Sequence, residues 1–184
     1  MSDPASRLKW VEEEPSAGCV ERSFVLSRRS GPVPGVLWSP ETTTAPPTVL
    51  LFHGGSGHKR SERHLRMGHR LAAAGLAVIA IDGPYHGDRV PSPMAPCVYQ
   101  QLIVDEGIER VTARMTEDWL ETVSALAAGG LVDGANVSVF GISMGARSGC
   151  RLRPRLDHRC GALCSASSGF ARPGLSTPGS APPA

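Results

Sequence analysis

The chain has 184 residues, 41% of them hydrophobic and 20% charged, which supplies one sizeable core and argues for one domain rather than two. A formal net charge of +2, with basic residues not interleaved with aromatics, argues against a nucleic-acid surface, and no apolar run approaches the roughly 20 residues of a membrane span. Five cysteines, Cys19, Cys97, Cys150, Cys160 and Cys164, show no framework spacing, and the N-terminus lacks a basic-then-apolar leader, so a reducing, cytoplasmic setting is expected.

Residues 1–19 read as a polar, flexible lead. Val20 to Leu26 and Val33 to Trp38 are short strands joined by a Ser30-Gly31-Pro32 turn, an antiparallel entry to a sheet. After a threonine- and proline-rich linker, Thr48 to Phe52 is a buried strand. A helix follows from Ser61 to Ala74, with Leu65, Gly68, Leu71 and Ala72 on one face and Gly75 as its stop. Leu76 to Asp82 is a continuous apolar strand, and the strand–helix–strand spacing implies a parallel crossover. Val98 to Ala128 reads as a long helix interrupted near Gly107. Its stripe of Ile108, Val111, Met115, Trp119, Thr122, Val123 and Leu126 faces the sheet, while Glu109, Arg110, Arg114, Glu117 and Asp118 form a solvated face.

Asn136 to Phe140 then runs directly into Gly141-Ile142-Ser143-Met144-Gly145. A serine at a sharp strand-to-helix turn is strained, its hydroxyl is exposed, and side chains two positions away would collide with neighbouring backbone. Upstream, Thr48 to Phe52 ends in His53-Gly54-Gly55-Ser56-Gly57. Acyl transfer through a serine needs donors for the tetrahedral oxyanion, and backbone N–H groups in a glycine loop can approach closely. One donor is assigned to the backbone at Gly55 and the other to Met144, with Ser143 as nucleophile. The loop Gly83 to Arg89 should face the same crevice, since ligands of open parallel sheets bind beyond the carboxyl ends of the strands. His53, Gly54 and His86 are the expected pocket-lining residues, with backbone bonding as the plainer role for His86, and Asp82 reads as a strand-end turn residue.

In this order of strand, His-Gly-Gly loop, helix, strand, long helix and serine elbow, residues 20–147 resemble the α/β-hydrolase superfamily, in particular esterases similar to dienelactone hydrolases and acetyl xylan esterases. The resemblance implies an α/β fold, a mostly parallel sheet with helices on both faces, incomplete at its C-terminal end. It implies a small-molecule ester or lactone substrate and no cofactor, and leaves the acyl group and the oligomeric state open.

The expected base and acid are harder to place. Such an enzyme draws its acid and histidine from chain after the nucleophile, where only Asp157 and His158 occur, and adjacent side chains diverge too far for one to orient the other. From Ser148 onward large apolar residues thin out and arginine, cysteine, serine, proline and glycine dominate, so residues 148–184 read as a non-native or disordered tail. With GC-rich codons, a one-base shift turns residues 148–156 into an alanine- and leucine-rich run, the mark of a shifted reading frame. Activity is then expected to be impaired, with the elbow strand left as an exposed edge.

Other chemistries fit less well. The loop Gly54 to Lys59 lacks the Gly-Lys-Ser ending of a phosphate-binding loop, and Cys150, His158, Cys160 and Cys164 match no zinc-knuckle spacing, so no metal is assigned. A non-catalytic hydrolase relic that still binds a ligand or partner is the remaining alternative.

Overall fold

A computed structural model describes residues 4–16, 18–42, 44–156 and 161–165. Its strands are β1 (Leu8–Ser16), β2 (Cys19–Leu26), β3 (Val33–Ser39), β4 (Pro47–Phe52), β5 (Ala77–Ile81), β6 (Asp133–Ile142) and β7 (Gly161–Ser165). The helices are α1 (Glu62–Ala73), α2 (Pro96–Glu106), α3 (Ile108–Ala128) and α4 (Met144–Leu152). All seven strands join one sheet in the order β1-β2-β3-β5-β4-β6-β7. The entry strands β1, β2 and β3 pair antiparallel as far as β5, and β5, β4, β6 and β7 are mutually parallel.

The core lies on both faces of this sheet because β3 and β5 are buried along their whole length, as near-continuous apolar runs require. One face packs Phe24, Leu37, Leu50, Phe52, Ile79 and Ile81 against Met115, Trp119 and Leu126 of α3. Phe52 stacks on Trp119 with centroids 4.3 Å apart. The opposite face packs Trp38, Leu51, Val78 and Ala80 against Ala72, Leu65 and Leu71 of α1. Gly107, at φ 98, separates α2 from α3, the interruption that a glycine inside an apolar helical run suggests.

Five expectations are corrected. The segment expected to be a flexible lead contains a short 3-10 turn at Pro4–Arg7 and the strand β1, paired with β2 along its length from Leu8↔Leu26 to Ser16↔Cys19. It hides from periodicity because nearly all of β1 is exposed, so backbone pairing rather than an apolar face holds it. The chain is also helical through Leu152: α4 buries Gly145, Ala146, Gly149 and Leu152, a face of mostly small residues in which a Cβ at Gly149 would sit 2.6 Å from Val139. Strand β7 pairs along β6 from Ser138↔Gly161 to Ile142↔Ser165, so the elbow strand is not an edge. Asp118, expected on a solvated face, is 1% exposed, and Ile108, expected in the buried stripe, is 57% exposed at the start of α3.

Candidate active site

Parallel pairing of β4 with β6 places Phe52 opposite Gly141, so the two strands release His53 and Ser143 side by side at the same rim. Ser143 is exposed and has φ 57, left-handed backbone that a residue with a Cβ adopts only where its surroundings impose it. The surroundings are visible. A Cβ at Gly141 would lie 2.6 Å from the Gly145 carbonyl carbon, and a Cβ at Gly145 would lie 2.6 Å from the His53 carbonyl oxygen and 2.7 Å from that of Phe52. The first turn of α4 is thus pressed directly on the end of β4. Gly54 approaches the same place, since a Cβ there would be 3.6 Å from the Ile142 carbonyl oxygen.

The loop after β4 is held by its own histidine. His53 is fully buried; its Nδ1 lies 2.8 Å from the Gly54 carbonyl, and its Nε2 accepts the Gly83 N–H at 2.8 Å. These partners fix a neutral ring with its proton on Nδ1, and burial pushes its pKa down to about 4. The Gly54 carbonyl also accepts the Gly57 N–H at 3.0 Å. A trans peptide points its C=O and N–H in opposite directions, so fastening the Gly54 carbonyl inward turns the Gly55 N–H away from the turn.

The loop after β5 is fastened to this one through buried charge. Asp82, fully buried, accepts the backbone N–H of Lys59 at 2.8 Å, the Lys59 ammonium at 2.7 Å and the Asp88 N–H at 2.9 Å. Gly87, at φ 54, passes so close that a Cβ would lie 2.2 Å from the Asp82 carboxylate. Asp82 is therefore the turn residue that the sequence suggests, and also the anchor of both loops. His86 is 6% exposed, with Nδ1 2.7 Å from the Pro84 carbonyl and Nε2 2.7 Å from the Gly55 carbonyl. Both histidines expected to line a pocket thus lie beneath the rim, bonded to backbone. Tyr85 carries φ 66, the second non-glycine residue in left-handed conformation among those described, and its hydroxyl donates to Glu106 beside Arg114.

Two features escape a linear reading. Tyr99, a lone aromatic in α2, packs its ring 4.6 Å from that of His86, and its hydroxyl would be 2.6 Å from a Cβ at Gly55. Asp118 pairs with Arg28 and Arg89, drawn from the loops after β2 and β5, with Arg89 at 2.6 Å. The aromatic offered a weak signal, standing just inside a helix that opens with proline; the buried carboxylate offered none.

Among the described residues the Ser143 hydroxyl has no hydrogen-bond partner, and the buried, backbone-bonded His53 and His86 are not placed as its base. Asp157 and His158 lie outside the described residues. Cavities of about 410 and 380 Å³ are lined by residues that include Ser39, Thr42 and Leu131 and by residues that include Leu8, Trp10 and Leu131, and neither lining includes Ser143 or the Gly54-Gly55 loop. No group of three or more potential metal ligands occurs among the described residues, and no helix there is long and apolar enough to cross a membrane.

The alpha/beta hydrolase family model matches residues 49–184. The chain belongs to the alpha/beta hydrolase family. A cold-adapted esterase from an Arctic intertidal metagenomic library superposes with TM-score 0.66 at 29% identity, over 83% of this chain and 62% of that one. A dienelactone hydrolase-like promiscuous phosphotriesterase from metagenomic libraries gives 0.60 at 21% identity, over 78% and 57%. An acetyl xylan esterase from Paenibacillus sp. R4 gives 0.53 at 21% identity, over 85% and 52%. At those identities the last two speak to the fold alone. The chain spans 62% or less of the length of each of these structures. No curated protein sequence matches it.

Proposed function

We propose that this hydrolase cleaves a small carboxylic ester or lactone through an acyl-enzyme at Ser143. The hydroxyl oxygen attacks the acyl carbon, the tetrahedral oxyanion is received by the N–H groups of Gly55 and Met144, and the alcohol leaves with a proton. Water then attacks the acyl-serine and releases the acid. The observation that carries the reading is the left-handed, exposed Ser143 on the same sheet rim as the Gly54-Gly55 loop. The esterase at 29% identity supports the same class of reaction. The free thiols of Cys19 and Cys97 support a reducing, cytoplasmic setting.

The reading includes impaired turnover in this chain, and it is supported by His53 and His86, whose ring nitrogens are turned to backbone groups rather than to the serine. Oxyanion stabilisation and binding without a complete triad leave about 10³ to 10⁴ over water in well-studied cases. The test is reaction of the purified chain with a fluorophosphonate probe beside hydrolysis of p-nitrophenyl acetate. Labelling at Ser143, lost in Ser143→Ala, with slow turnover is the expected result; turnover at ordinary esterase rates would remove the impairment. The Ser143 hydroxyl, without a hydrogen-bond partner among the described residues, favours one second reading, a relic that binds an acyl ligand without cleaving it. Silence towards the probe together with saturable ester binding would establish that reading and overturn the first.

A further inference from the structure

We infer that His86 is a positioning residue for the oxyanion loop, setting the peptide at Gly55 from across the rim; this rests on the ester-hydrolase reading above. The loop needs such a part because the peptide before Gly55 is fixed from within, by His53 and Gly57 on the Gly54 carbonyl, whereas the peptide after it has no partner in its own segment. That second carbonyl, of Gly55, meets His86 Nε2 at 2.7 Å. A carbonyl only accepts, so the contact is a hydrogen bond when Nε2 carries its proton.

His86 is itself held in place. Packing does this on two sides, one ring face tilting against His53 with centroids 4.9 Å apart and Tyr99 lying at 4.6 Å, while Nδ1, 2.7 Å from the Pro84 carbonyl, carries no proton in the singly protonated ring that donates through Nε2. Tyr99 closes the remaining space, because its hydroxyl stands where a side chain on Gly55 would go. Both peptides flanking the Gly55 α-carbon are thereby fixed, one by each histidine, and the direction of the Gly55 N–H follows. An oxyanion donor that is aimed before the reaction costs no reorganisation during it, which is the physical use of such a clamp.

The role separates from mere packing through three substitutions in the full chain. His86→Gln keeps a donor at the reach of Nε2, His86→Asn reaches only as far as Nδ1, and His86→Leu fills space without donating. For p-nitrophenyl acetate hydrolysis, the leucine and asparagine variants are expected to lose kcat by about tenfold or more with KM within about twofold, and the glutamine variant to recover most of that loss. Amide hydrogen exchange over residues 53–60 should accelerate in the first two and be restored in the third. Equal damage in all three variants, or a leucine variant with full kcat and unchanged exchange, overturns the inference. Should the unmodified chain turn over no ester at all, the hydrolase reading falls, and the exchange measurement alone decides whether His86 sets the loop.

Discussion

At the carboxyl rim of β4, β5 and β6 the charged side chains of Lys59, Asp82, Arg28, Arg89 and Asp118 are inside the protein; along β1, at the far edge of the same sheet, they are outside. Lys59 and Asp82 have side-chain exposures of 5% and 0%, and Arg28, Arg89 and Asp118 have 7%, 12% and 1%. Glu13, which pairs with Arg22 across β1 and β2, is 58% exposed. The difference reflects what each region must do. An edge strand gains its order from the backbone ladder and uses charge to stay apart from other strands, as Glu12, Glu13, Glu14 and Pro15 do here. Loops at the rim have no ladder, so interior charge pairs and histidine-to-backbone bonds hold them to one another.

The sharpest way to test this contrast is to break the buried anchor. Asp82→Ala removes the acceptor of two backbone N–H groups and leaves the Lys59 ammonium inside with only Asp88, whose carboxylate is 75% exposed. Orphaning one member of a buried pair costs about 3–5 kcal/mol, and the partial rescue by Asp88 places this variant near about 3. Urea unfolding of the variant beside the parent measures it. A loss below about 1 kcal/mol would mean that the rim is not held by charge.

How far this region could be foreseen depends on the range of the interaction. The elbow, the glycine loop, the strands and helix between them and the break at Gly107 all follow from residues within a few positions of one another. The ion pairs do not, because Arg28 and Asp118 are 90 positions apart and nothing near either of them signals the other. A carboxylate in a helix full of charge looks solvated until the loops that cover it are placed. The continuation of α4 past Arg147 escaped for a different reason: the helix's buried face is largely glycine and alanine, so a search for large apolar side chains passes over it. The family resemblance pointed to the rim, but the manner of its bracing became visible only with coordinates.

An effect smaller for each residue follows from the buried histidines on the same side of the contrast. His53 and His64 are each held at about 4 by burial, below the ordinary 6.5. An unfolded chain takes up their protons first as pH falls through 6.5, so the folded state loses stability from there down to about pH 4, where both states are protonated and the slope ends. Each should contribute about 2 kcal/mol of loss between pH 8 and pH 5. Denaturant unfolding across that range reads the total, and His64→Gln should remove close to half of it. A flat profile over the window would show that the rings are not buried neutral.

The smallest effect belongs to the exposed edge. Glu13→Gln removes the carboxylate that Arg22 meets at 2.6 Å, a contact as short as many in the interior. Distance alone would make the two regions equal. Yet Glu13 is largely in water, which screens the charge in both the folded and the unfolded state, so the pair should be worth less than about 0.5 kcal/mol. On a chain of this size that shifts the thermal midpoint by roughly 2 °C or less. A Glu13→Gln loss comparable with that of Asp82→Ala would mean that pairing geometry rather than burial sets the strength of these contacts, and the division between rim and edge would no longer hold.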